Sequence, residues 1–242
     1  LRIIVKILDP IQGIVLKEEV VEGQGIESIF NMVDELTRQI KSDLALSFEK
    51  GEQLPKIADI TTNSLEAWQS YVTATERAEQ FMTNEAIPYF EEAISYDSTF
   101  VSAYLDLTQA YLKTGENEKA YQLVQKLSRM KNKATPQENY RINLFEAQFN
   151  NDAKKYVSSI KEWLQEYPKD RDAQLTLAQL YDNWNNTDLA IAHYRKAIEI
   201  DPKYKAAYNR LAYVYANSGN FSKAISTIKK YLDLAPEEAN PY

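Results

Sequence analysis

The sequence predicts a mainly α fold: an α-solenoid of about five helix pairs, preceded by a β-hairpin and one amphipathic helix that read as the remnant of an α/β domain. Three observations carry this reading. Pro168, Pro202 and Pro236 stand 34 residues apart. Leu177, Ala178, Tyr181 and Ala190 recur at the same interval as Leu211, Ala212, Tyr215 and Ala224. When each unit is counted to its proline, the turn between its two helices falls on Gly115, Asn151, Asn185 and Gly219. Gly and Asn are the residue types that most readily take the left-handed conformation with which a helix stops.

In chain order, Arg2 to Leu8 is rich in β-branched residues and predicts a strand. Asp9-Pro10-Ile11-Gln12-Gly13 is turn chemistry, and Ile14 to Val21 predicts the returning strand. A lone hairpin is marginal in water, so it needs a helix or another chain to lie against. Ile26, Ile29, Phe30, Val33, Ile40 and Leu44 supply an apolar stripe at helical spacing. Segments 1–48 (hairpin and helix), 49–63 (a charged linker with Gly51 and Pro55) and 64–242 (solenoid) follow. Asn63 with Glu66 resembles a capping box that starts the first repeat helix at Ser64. Pro88 is expected near the end of the first turn of the next helix.

Within one unit, Leu177, Ala178 and Tyr181 mark one helix face, and Ala190, Tyr194 and Ala197 mark a second. Small residues at Ala178 and Ala190 let two antiparallel helices approach, and the tyrosines fill wider gaps. Asp201-Pro202 then ends the second helix, because proline disfavours helical geometry in the residue before it.

The pattern resembles the tetratricopeptide repeat family. It matches closely over Tyr208-x2-Leu211-Ala212-x2-Tyr215 with Ala224, Ile228 and Pro236, and over the Leu177 to Pro202 unit. Tyr104-x2-Leu107-x3-Tyr111 with Ala120 gives a third unit, in which Asn132 replaces the proline. Tyr140 to Pro168 departs from the pattern, with Tyr156 and Trp163 where small residues are usual. A two-residue insertion near Lys131–Pro136 stretches the preceding interval to 36 residues. The first unit keeps Ala86, Phe90 and Ala93 but has Ser98 for proline, and its Trp68, Tyr71 and Ala74 fit only with one residue deleted. Leu8-Asp9 and Gly13, then Ile29-Phe30 and Asp34-Glu35-Leu36, resemble the closing portion of a TolB-type amino-terminal-like domain, found before such repeats in bacterial signalling proteins.

The repeat resemblance implies that positions 2, 5, 9, 12 and 13 of each first helix line a concave groove. The residues carried over are Gln109, Arg141, Phe145, Phe149, Gln179, Asn183, Asn209, Tyr213 and Asn217, with Leu105 and Leu175 beside them. Amides can satisfy the backbone of an extended peptide, and aromatics supply buried area. A C-terminal-carboxylate clamp would need Lys at position 5 and Asn at position 9, whereas Leu105 pairs with Gln109 and Arg141 with Phe145.

Composition bounds the rest. A net charge of −7 argues against nucleic-acid binding, and no apolar run is long enough to span a membrane. With no cysteine there is no disulfide or thiolate site, and the compartment stays open between cytoplasm and periplasm. Glu18, Glu19 and Glu22 alternate across a strand and make no metal cluster. The single histidine, His193, lies between Ala192 and Tyr194 without an evident catalytic partner. The expectation is a non-catalytic scaffold without cofactor or metal that binds a protein or peptide partner. The alternative is a regulatory segment of a larger bacterial signalling enzyme (a kinase or nucleotide cyclase) or of a transcription regulator, with its effector domain upstream. Ala239-Asn240-Pro241-Tyr242 reads as the start of a truncated sixth repeat. Some of Ile225, Ile228 and Leu232 are therefore expected to be more exposed than their counterparts one repeat earlier. Self-association through that uncapped helix or through the hairpin edge follows.

Overall fold

The computed structural model describes residues 1–9, 12–25, 28–43 and 62–234. Pro10 and Ile11 of the turn, Ile26 and Leu44 of the stripe, the linker up to residue 61, Pro236 and the sixth-repeat residues Ala239–Tyr242 lie outside the described residues. Strands β1 (Arg2–Leu8) and β2 (Val15–Glu22) form an antiparallel hairpin with Arg2 opposite Glu22 and Lys6 opposite Glu18. Gly13 has φ +69° and its N–H donates to Asp9 O at 2.8 Å, closing the turn. Ile3, Val5 and Val21 pack on helix α1 (Ile29–Asp43) through Met32 and Leu36.

These two residues are the most buried of α1, whereas Ile29, Phe30, Val33 and Ile40 are half-buried. The apolar stripe is thus centred to one side of the expected one. Gly23 explains part of this, because a Cβ there would collide with Ser28 Oγ and Met32 Sδ. Its absence lets α1 close onto the strand end. On the opposite face of the hairpin Arg2 pairs with Glu22 at 3.5 Å and Lys6 with Glu18 at 3.2 Å, beside exposed Ile4 and Leu8.

Among the described residues ten helices follow in five antiparallel pairs: α2 (Leu65–Glu79) and α3 (Thr83–Tyr96), α4 (Val101–Thr114) and α5 (Asn117–Arg129), α6 (Pro136–Phe149) and α7 (Ala153–Glu166), α8 (Arg171–Asn183) and α9 (Thr187–Ile200), α10 (Lys205–Asn217) and α11 (Phe221–Leu234). All four expected turn residues lie between helices with positive φ, at 82° for Gly115, 53° for Asn151, 56° for Asn185 and 78° for Gly219. The N–H that follows each one donates five residues back, Glu116 to Tyr111, Asp152 to Ala147, Asn186 to Tyr181 and Asn220 to Tyr215, each at 2.8 Å. This bond satisfies a carbonyl the helix end leaves free.

The first pair uses the same device. Phe81 has φ 61°, and Met82 N donates to Arg77 O at 3.0 Å. The first unit is therefore of regular length and needs no deletion; a phenylalanine in place of Gly or Asn hid its turn. Two other local expectations shift. Ser64 rather than Asn63 caps α2, its Oγ accepting from Ala67 N at 3.1 Å, so the helix begins at Leu65. Helix α3 begins at Thr83, which puts exposed Pro88 in the second turn.

The core runs between successive pairs. Ala93, Leu127, Trp163 and Ala197 hold one register in the second helices; the first three are buried against Ala103, Ile142 and Ala173 of the next first helix, and Ala197 is fully buried too. Small residues allow close helices, and where Leu127 or Trp163 stands the gap is wider. The stack also curves until its ends meet. Glu79 Oε2 of the first pair lies 3.7 Å from Lys205 Nζ of the last, and the Phe81 ring centre is 6.4 Å from that of Tyr231. On the other side of α11, Ile225 is 55% and Leu232 42% exposed, against half-buried Ile191 and Ile198; Ile228 is half-buried where Tyr194 is fully buried. The expected difference in exposure is present.

Candidate functional site

Hydrogen bonds tie the first helices of successive pairs into one face. Tyr71 OH donates to Asp106 Oδ2 at 2.7 Å, and Arg141 Nη2 donates to Asp106 Oδ1 at 2.6 Å. Further along, Tyr204 OH donates to Asp172 Oδ1 at 2.6 Å while the Arg171 guanidinium lies 4.5 Å above the Tyr204 ring. Burial, reinforced by Asp106, pushes the Tyr71 hydroxyl far above its usual pKa, and burial with Asp172 does the same to Tyr204. Burial alone would lower Arg141, but the Asp106 carboxylate outweighs it and holds the guanidinium charged.

Lys113 of α4 and Arg210 of α10 are solvent-accessible, yet the Lys113 ammonium is pushed below its usual pKa by burial and then by the Arg210 charge. The first helices of the second and fifth pairs thus each carry an accessible cation, Lys113 and Arg210.

The expected groove residues separate into two sets. Gln109, Asn183 and Asn217 are exposed, Tyr213 is 37% exposed, and Gln179 is half-buried. Arg141 is half-buried and committed to Asp106, and Phe149 leans on Tyr121 with ring centres 5.4 Å apart. Phe145 and Asn209 lie beneath the surface, at 7% and 6% exposure, and so does Leu105. Leu105 and Asn209 hold the repeat position of Tyr71 and Arg141, whose side chains reach Asp106 of an adjoining first helix. Phe145 belongs to the unit with the two-residue insertion, where it joins Val101, Tyr104, Leu127, Met130 and Ile142 in the core. Its sequence counterparts Gln109, Gln179 and Tyr213 stay open to solvent to varying degrees. Sequence reasoning missed Lys113, which the family positions include, and Arg210, which they do not.

His193 is no isolated base. Its Nδ1 lies 2.7 Å from Gln174 Oε1, and its ring stacks on Tyr181 at 5.5 Å. Gln174 Nε2 donates to Pro168 O at 3.3 Å, which fixes the amide so that Nδ1 carries the hydrogen. Burial, then Lys196, lower the imidazole pKa below 6.5. A depressed folded pKa means the neutral ring stabilises the fold above about pH 6.5, and that contribution is lost as pH falls through the folded pKa. The melting temperature is expected to drop between pH 7 and 5, and His193→Gln to flatten the drop. Equal slopes for both proteins would remove His193 from the acid response.

A tetratricopeptide repeat model matches residues 77–137 and 185–242. The two matched segments carry tetratricopeptide repeats. Neither matched segment reaches the hairpin and α1. The tetratricopeptide solenoid shares its fold with TTC0263, a thermophilic repeat protein of Thermus thermophilus, at 17% identity and TM-score 0.53, over 71% of this chain and 93% of that one. PilW, a widely conserved type IV pilus biogenesis factor, is similar at 19% identity and TM-score 0.47, covering 72% and 79% of the two chains. YrrB, described as a TPR protein with an unusual peptide-binding site, is similar at 18% identity and TM-score 0.39, covering 71% and 87%. No curated protein sequence matches this chain. Among the described residues, no helix is long and apolar enough to cross a membrane, and no group of three or more His, Cys, Asp or Glu is placed to hold a metal ion.

Proposed function

We propose that the tetratricopeptide solenoid is a non-catalytic scaffold that holds an extended segment of a partner protein along its inner face. The observation that carries this reading is the row of accessible amides Gln109, Gln179, Asn183 and Asn217 with the Tyr213 ring among them. Amides donate and accept, so they can satisfy an extended backbone of any sequence, and a tyrosine adds apolar contact area. The Lys113 and Arg210 charges give the same wall a preference for acidic side chains. Selection from a displayed peptide library is expected to yield acidic binders. Tyr213→Ala is expected to weaken them by about 1–3 kcal/mol, as a moderate hot spot does. Binders indifferent to Tyr213→Ala and to Lys113→Glu together would move the binding surface off the inner face.

A second reading makes the chain a regulatory segment of a bacterial signalling enzyme or transcription regulator. The observation in its favour is the hairpin face left open opposite α1, with Ile4, Leu8 and Leu16 exposed, as a sheet would be that belongs to a larger α/β domain. Sequencing the intact gene is the test, and a catalytic or DNA-binding domain before Leu1 is the expected finding.

A further inference from the structure

Five equivalent turns carry a positive φ, and four use Gly or Asn; the fifth uses Phe81, at φ 61°. A bulky side chain in the left-handed region is an outlier, because its Cβ crowds the backbone. Such strain persists only when something else holds the residue there. The Phe81 ring meets the Tyr231 ring at 6.4 Å and an interplanar angle of 51°, a tilted aromatic contact between the first and last repeats. Tyr231 occupies the register of Ala93, Leu127, Trp163 and Ala197, which in the inner pairs faces the next repeat. The first repeat thus presents its turn at a register that elsewhere serves repeat stacking. A second contact points the same way, since Glu79, two residues before Phe81, pairs with Lys205 at the start of α10.

We infer that Phe81 and Tyr231, assisted by Glu79 and Lys205, form a clasp that closes the solenoid end to end, and that its release widens the inner face for a partner. The first half rests on the contacts alone. The second half rests on the proposed role of the inner face. The apolar part of the clasp dominates, because Glu79 is largely exposed and a surface ion pair adds little.

The chain has no cysteine, so a pair introduced as Gln80→Cys and Lys230→Cys takes spin labels at two exposed sites, one on each side of the clasp. Electron–electron distance measurement on this background is expected to return one narrow distribution. Phe81→Gly keeps the turn, as Gly115 and Gly219 show, and removes only the ring. It is expected to broaden the distribution and shift it to longer distance, with helix content unchanged. Phe81→Asn should do the same, whereas Phe81→Tyr, which keeps a ring, should stay closed. Identical distributions for the Gly, Asn and Tyr variants would overturn the clasp. Peptide affinity, measured separately on the same proteins, tests the second half. A several-fold rise with Phe81→Gly supports gating; longer distances with unchanged affinity leave the clasp standing and refute gating.

Discussion

Replacing Trp163 with alanine is expected to remove about 3–5 kcal/mol of stability, the usual cost of deleting a large buried aromatic. Trp163 is 2% exposed and stacks on Tyr140 with ring centres 5.9 Å apart and planes 4° from parallel. Its Nε1 donates to Asp170 Oδ2 at 3.0 Å, and Oδ1 of the same carboxylate caps α8 through the N–H groups of Asp172 and Ala173. The substitution therefore opens a cavity and loosens a helix cap together. Ala93 and Ala197 occupy the same register in sister repeats, so alanine is not wrong for the position in general. It is wrong for the wider gap between α7 and α8. Urea unfolding measures the loss; a change below about 1 kcal/mol would mean that the two helices close to the sister spacing instead of leaving a void.

The second large effect is expected at Asp106. Its carboxylate accepts from both Tyr71 and Arg141, so Asp106→Ala leaves two donors facing each other without an acceptor. Removing one partner of a buried ion pair costs about 3–5 kcal/mol, and partial exposure of this pair places it at about 3. Adding Arg141→Leu should recover most of that loss, because an apolar side chain needs no partner. If the double variant is no more stable than Asp106→Ala, the cost lies in the Tyr71 bond or in packing, and the ion pair is incidental.

Much of the fold was legible because its signals are local. A left-handed residue and a backbone bond spanning five residues stop each helix, so Gly115, Asn151, Asn185 and Gly219 could be located from one unit at a time. The matching turn at Phe81 was not legible, since nothing in a phenylalanine signals positive φ. The hairpin was readable for the same local reasons, while the centring of α1 on Met32 and Leu36 depended on the space that Gly23 leaves for them. At the candidate site, Gln109, Gln179, Asn183, Tyr213 and Asn217 lie where solvent reaches them, at repeat positions that the period alone could number. Phe145 and Asn209 were misplaced because position within a repeat does not say how closely the next helix approaches.

By itself, then, the sequence determined the number of helix pairs, four of their five turns and most of the small and aromatic residues that fill each pair. Those depend on period, side-chain size and backbone freedom within about 34 residues. Only the tertiary structure decided which of the expected groove residues stay open and that Phe81 meets Tyr231, 150 positions away. Each stacked repeat adds a small rotation, and the sum over five repeats brings the ends together. No single repeat contains that sum.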